Sequence, residues 1–518
     1  MNKSLHSYRN PVIPGFNPDP SICRDNEDYY LVTSTFEFFP GVPIYHSRNL
    51  VNWRLISYCL TRTEQLPLKN SPASAGIYAP TLRKNKGTFY MTTTNVTEGG
   101  NFIVHTEDIH GSWSNPVYID QGGIDPSLLF VDEKIYFCST GNKGENGIFV
   151  CEIDPKSGRK FTDSVRISTG CGGRFAEAPH LYYINNWFYL MLAEGGTEYG
   201  HMVTMQRSKN IYGPYERCPI NPIISHRDRG WHPIQAVGHA DIIQDHKGAW
   251  WMVCLGIRPA LGLLHHLGRE TFLLPLKWEN GWPLPATTLE LEMEAPLPAE
   301  AKKPDYDFET DFSTGADEPE WNYLRARDSS CFERKDGKLY LTANGQKLSE
   351  PGTSPAFTGI RQKFFDMEAI TVLSLDDVKP GTVTGISAFY NNDYHYDLCI
   401  ENKNGTFSVI VNKRIHDLEA VVFRKVIEVP AEKAELRIKA DKKSYHFAIR
   451  IDKGQWCNCG SALTAGLSTE GTCFMTFTGV YIGLFCDSGK AAYEYFSMKE
   501  MSGGEQEGIG YGEHIETK

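Results

Sequence analysis

This chain has no apolar run of membrane-spanning length, no segment with a sustained helical period, and no surplus of basic residues. The first absence argues against a helical membrane span and the second against a helix bundle. The third shows in a net charge of -11, which disfavours a polyanionic partner, and no basic stripe interleaved with aromatics of the nucleic-acid type is present. Walker, dinucleotide-fold and zinc-protease signatures are missing too. The 13 cysteines are odd in number and scattered without a framework, several inside strand patterns such as Phe137-Cys138 and Val253-Cys254, so reduced buried thiols are expected. Cys457-Asn458-Cys459 has no second pair at zinc-site spacing, and His265-His266 resembles half a metal site without partners, which reads as a polar loop. The opening Met1-Asn2-Lys3-Ser4-Leu5-His6 lacks the apolar core of a secretory signal, which gives a cytoplasmic expectation if Met1 is the native start.

What the chain does have is a repeat. Five times a short polar or Pro-containing turn opens a strand, at Asp19, Ala79, Asp125, Ala178 and His239, and an aromatic follows eleven positions later, at Tyr30, Tyr90, Tyr136, Tyr189 and Trp250. Between them lie runs such as Leu128-Leu129-Phe130-Val131, a charged or Gly/Asn turn, then Ile135-Tyr136-Phe137-Cys138, which is the pattern of a β-hairpin. A period of about fifty residues points to radial repetition rather than a layered sheet, hence an all-β fold with a five-bladed β-propeller over 8–288. The aromatics at the eleventh position read as core.

In a propeller each innermost strand faces the central channel, so equivalent positions of successive blades converge on one axis. Asp19 and Asp125 hold the opening position of the first and third units, Glu177 stands one residue ahead of it in the fourth, and His239 holds it in the fifth. Three carboxyls far apart in sequence would then meet at one end of the channel. Two carboxyls across a pocket are what glycosidic bond cleavage requires, one as acid for the leaving oxygen and one as base for water or as nucleophile. The acid must stay protonated near neutral pH, and a carboxylate neighbour favours that. Taken singly, an Asp before Pro-Ser is a turn residue and Glu177 a solvated carboxylate; it is their common register that raises them.

From Trp282 to Pro304 five prolines appear amid Glu and Ala, which reads as a stiff, partly extended linker, bounded at 289–305. Strand-like stretches such as Thr371-Val372-Leu373-Ser374 and Ser408-Val409-Ile410-Val411, separated by turns such as Lys403-Asn404-Gly405, then predict a β-sandwich over 306–502, followed by a Gly/Glu-rich flexible tail at 503–518.

At these residues the chain resembles glycoside hydrolase family 43, in its β-xylosidase and α-L-arabinofuranosidase branch with a C-terminal concanavalin-like β-sandwich. The likeness rests on Gly15-Phe16-Asn17-Pro18-Asp19-Pro20-Ser21, on 34–42, on Gly122-Gly123-Ile124-Asp125-Pro126-Ser127, Glu177-Ala178-Pro179-His180-Leu181, Gly238-His239-Ala240-Asp241 and Gly268-Arg269-Glu270-Thr271. It implies an inverting enzyme with Asp19 as general base, Glu177 as general acid, and Asp125 orienting Glu177 and raising its pKa. Inversion places the carboxyls roughly 6.5–9.5 Å apart with water between base and sugar. It further implies that Arg269 contacts the innermost sugar and that Phe36, Phe39 and Tyr78 form pocket walls, although these three aromatics read equally well as core. Many relatives carry Trp where Tyr78 stands. A sandwich loop over the pocket mouth would fall at Phe477-Thr478-Gly479-Val480-Tyr481, bringing Tyr481 to the substrate and leaving room for only a terminal sugar. His239 has two readings in such enzymes: it holds a hydrated cation, calcium, beneath the site, or it hydrogen-bonds water and the acid-base network directly. One imidazole is a weak metal site, so no metal ligand set and no required cofactor are assigned. The implied partner is a short oligosaccharide releasing terminal xylose, with arabinose release, a bifunctional enzyme, or a non-catalytic carbohydrate-binding propeller as alternatives; a homo-oligomer is compatible with the sequence.

Overall fold

The computed structural model describes residues 5–501 apart from 303, 315–317 and 429, so the tail at 503–518 lies outside the described residues. Among them helical structure is confined to three single 3-10 turns, Leu375–Asp377, Thr464–Leu467 and Thr469–Gly471, and no helix is long and apolar enough to cross a membrane. All thirteen cysteines are free and ten are buried.

Five antiparallel sheets of consecutive strands form the first half, as the repeat predicts. Their innermost strands are Ser21–Asp25, Thr81–Asn85, Ile124–Val131, Glu177–Ile184 and Gln235–Gln244. These touch one another in cyclic order, the fifth returning to the first, which is the closure of a propeller. The eleven-residue spacing follows from hairpin register: Cys23 pairs with Tyr30, Arg83 with Tyr90, Leu129 with Tyr136 and Tyr182 with Tyr189. The fifth unit differs by one. An added residue in its hairpin turn, between Asp245 and Ala249, pairs Ile243 with Trp251, so the fully buried equivalent is Trp251, and Trp250, the residue expected there, is only half-buried.

The ring is latched by its own ends. His6–Arg9 pairs with Glu292–Ala295, and the Asn10 side chain donates to the Leu273 and Glu290 carbonyls. The Pro-containing stretch read as a linker is therefore packed down, with Leu289, Met293, Ala295 and Leu297 buried against the last blade.

The second half is two antiparallel sheets face to face, a sandwich whose largest apolar cluster includes Leu398, Ile400, Leu436, Ile438 and Leu484. One sheet recruits a strand of the propeller: Phe38–Phe39 pairs with Asn322–Leu324 at its edge. This pairing fixes the two halves to each other and removes an open edge. His265 and His266 sit at the same seam and not in an exposed loop. His265 Nδ1 lies 2.7 Å from Glu470 Oε1, and the Val480 amide donates to the His266 carbonyl.

Candidate active site

Four of the five repeat openings are in the left-handed region, with φ of 56° at Asp19, 53° at Asp125, 51° at Ala178 and 44° at His239. At three of them the strand ladder carries an extra residue, between Ile124 and Ser127, Glu177 and His180, and Gly238 and Ala240. A bulge of this kind bends the strand end and re-aims its side chain. Left-handed non-glycine residues cost on the order of 1–3 kcal/mol each and persist where the surroundings over-determine them. Here they turn Asp19, Asp125, Glu177 and His239 into one cavity of about 310 Å³ at the end of the channel, a size suited to a small ligand.

The two flanks of that cavity are electrically different. Asp19 is buried, which by itself would raise its pKa. The Arg269 guanidinium, 2.9 Å from Asp19 Oδ1, outweighs the burial together with His239, whose Nδ1 is 3.4 Å from the same oxygen, and the Ser34 hydroxyl, which donates to Oδ2 at 2.5 Å. The carboxyl is held below the usual range and stays ionised. Glu177 has no such cation beside it, and at Asp125 the Arg269 charge is too weak to offset burial and the neighbouring carboxyls. Burial and then the charge on Asp19 push Glu177 up to about 7, and burial with the charges of Glu177 and Asp19 raises Asp125. Two half-buried carboxyls that repel each other keep a proton between them. The Ala178 amide donates to Asp125 Oδ2 at 3.2 Å and fixes its orientation beside the strand that carries Glu177.

Neutral histidines complete the floor. His201 Nδ1–H donates to the Ala236 carbonyl at 3.0 Å, and burial lowers its pKa to about 3, leaving Nε2 an acceptor. Gly238 is required behind it, because a Cβ there would lie 2.3 Å from the imidazole ring. Burial also lowers the pKa of His239. Two residues further along the inner strands, Asp241 accepts from Ser21, Tyr182 and both terminal nitrogens of Arg83, whose Nη2 is also 2.9 Å from His180 Nδ1. A calcium ion seeks six to eight oxygen ligands. Among the described residues no group of three His, Cys, Asp or Glu side chains converges to hold a metal, and the Arg83 guanidinium pairs with Asp241.

The wall is aromatic. Phe36 stacks on Phe477 with centroids 5.6 Å apart, Tyr78 lies 5.3 Å from Phe36, and the Arg269 guanidinium stands 5.6 Å over Phe36 and 5.4 Å over Phe477. Arg269 Nη2 donates to the Phe477 carbonyl, Nη1 also donates to Thr197 Oγ1, and Nε has no protein partner. Phe477 comes from the sandwich; its amide donates to Ser74 Oγ, and the Ser74 amide donates to buried Glu37. Two expected wall residues lie elsewhere. Phe39 is taken by strand pairing with Tyr323 and packs into the sandwich-side core. Tyr481 is fully buried behind the wall, stacked on Phe38 at 4.1 Å, with its hydroxyl donating to Asn322. The lid stretch does reach the pocket, through Phe477, four residues earlier. His201, Thr197 and Phe175 line the cavity without having been anticipated. Gly238 was the only local hint for His201; the other two sit in loops that carry no repeat signal.

One carboxyl kept ionised across a small aromatic pocket from another kept protonated is the chemistry of glycosidic bond cleavage, and the chain is a glycoside hydrolase. It belongs to the glycosyl hydrolases family 43, whose sequence model matches residues 8–283, while the beta xylosidase C-terminal concanavalin A-like domain matches 309–499. It is 39% identical to a non-reducing end alpha-L-arabinofuranosidase of Bacteroides ovatus over 95% of each chain. It is 33% identical to a beta-xylosidase of Bacillus subtilis, over 95% of this chain and 99% of that one. The crystal structure of a xylan beta-1,4-xylosidase from Bacillus halodurans superposes with a TM-score of 0.88 at 30% identity, covering 95% of this chain and 100% of that one.

Proposed function

We propose that this enzyme is an inverting exo-glycosidase that removes the terminal xylosyl residue from short β-1,4-xylo-oligosaccharides. The observation that carries this reading is the division of charge across the cavity, with Asp19 ionised and Glu177 protonated near neutral pH. Asp19 accepts a proton from a water molecule as that water attacks the anomeric carbon, and Glu177 gives its proton to the leaving glycosidic oxygen. Asp125 keeps the proton on its side of the site and orients Glu177. Arg269, Phe36 and Tyr78 bind the terminal sugar. Phe477 walls the pocket from the sandwich, which favours a chain end over a chain interior. In this reading 8–288 is the catalytic propeller, 289–305 the connection and 306–502 the supporting sandwich.

The likeness to the arabinofuranosidase of Bacteroides ovatus favours a second reading, release of α-L-arabinofuranose or of both sugars at one site. Hydrolysis of aryl β-xyloside against aryl α-L-arabinofuranoside decides between them. Glu177→Gln and Asp19→Asn are expected to lower kcat/KM on the preferred glycoside about 10³-fold or more. Unchanged turnover in both variants would end the assignment. Proton NMR in the first turnovers should show α-xylose released from a β-xyloside; β-xylose would require a retaining mechanism instead.

A further inference from the structure

Phe175 lines the cavity yet is 57% exposed, among the most exposed large apolar side chains of the chain. It is also held at φ 52°, a left-handed conformation that a bulky residue adopts only when its surroundings impose it. The surroundings do impose it. Buried Glu194 accepts from the amides of Cys171 and Gly173 at 2.7 and 2.6 Å and from the Thr204 hydroxyl at 2.6 Å, and the Gly195 amide donates to the Arg174 carbonyl at 2.6 Å. The Arg174 guanidinium stands 4.8 Å over the Phe175 ring and is paired to Glu198 at 3.1 Å. Gly196, at φ 79°, brings backbone against the same ring, and a Cβ there would lie 3.3 Å from it. A loop clamped by a buried carboxylate thus presents a propped, strained aromatic to solvent. Burial of that ring is not what the clamp achieves.

The geometry points to Phe175 as the platform for the leaving sugar. This rests on the proposed role of Glu177. The acid delivers its proton to the leaving oxygen, so the leaving group lies on the flank that carries Glu177, and Phe175 is two residues from it on that flank. The occupant is a second sugar in its ring form, a xylosyl residue, whose C–H face stacks on the aromatic while the Arg174–Glu198 pair offers a donor and an acceptor to its hydroxyls. Phe175 therefore selects for a sugar leaving group over an acyclic one.

The test compares leaving groups on one terminal sugar. Wild type, Phe175→Ala and Phe175→Trp are assayed on methyl β-xyloside and xylobiose, and in parallel on methyl α-L-arabinofuranoside and an arabinofuranosyl-xylobiose. The loss in kcat/KM for Phe175→Ala is expected to be about 10- to 50-fold larger on the ring leaving group than on methyl, chiefly through KM, and Phe175→Trp is expected to restore the preference. Equal losses on both leaving groups, or no loss on xylobiose, would overturn the platform while leaving the glycosidase assignment standing. A wild type that cleaves none of the four substrates would overturn that assignment and this inference with it.

Discussion

Asp19 and Glu177 come from nearly the same position of two repeat units and face one cavity, but their neighbours differ. Around Asp19 stand Arg269, His239 and a hydroxyl; Glu177 meets only burial and other carboxyls. Both side chains are largely withdrawn from water, so burial would raise both pKa values. Only where a guanidinium lies 2.9 Å away is that tendency reversed. The propeller supplies equivalent positions and the blades' individual residues supply the inequality, which is what separates a base from an acid.

The sharpest way to break this inequality is to remove the cation. Arg269→Met is expected to lower kcat/KM about 100-fold or more. It should also move the acidic limb of the pH profile upward, because Asp19 then loses its largest opposing charge and protonates at a higher pH. An acidic limb that stays in place would mean that Arg269 only binds sugar. The wall offers a milder comparison between two residues of one sandwich stretch. Phe477→Ala should lower kcat/KM about tenfold, since it opens the pocket beside Arg269, whereas Tyr481→Phe should stay within about twofold because its hydroxyl faces Asn322 behind the wall.

The smallest expected effect is on stability. Glu177 has a raised pKa in the folded chain, so the unfolded chain ionises at lower pH and folding loses stability as pH rises from the ordinary carboxyl range through about 7. Glu177→Gln removes that loss. Its Tm should equal that of wild type near pH 4 and exceed it by on the order of 2 °C at pH 8. An equal difference at both values would point to packing instead of charge.

Much of this arrangement was legible in the sequence because propeller blades repeat at fixed hairpin register. The opening turns and the aromatics eleven positions on locate the inner strands and bring Asp19, Asp125 and Glu177 to one end of the channel. The slip from Trp250 to Trp251 arose where a single inserted residue shifted the register. Phe39 and Tyr481 were misplaced for a different reason. Both are aromatics near the pocket in sequence, but a strand pairing across the seam claims one and an aromatic stack claims the other, and neither contact has a local signature. His201, Thr197 and Phe175 lie in segments whose place is set by tertiary contacts such as the Glu194 clamp, which no repeat pattern encodes.

The pH dependence of kcat/KM for wild type and Asp125→Asn tests the central claim most directly, that charge surroundings divide the carboxyls into base and acid. Wild type should keep an acidic limb below the ordinary carboxyl range and an alkaline limb near 7. Asp125→Asn removes one of the two repelling carboxyls, so the alkaline limb should move to lower pH while the acidic limb holds. An alkaline limb that does not move, or an acidic limb that moves in its place, would contradict the account.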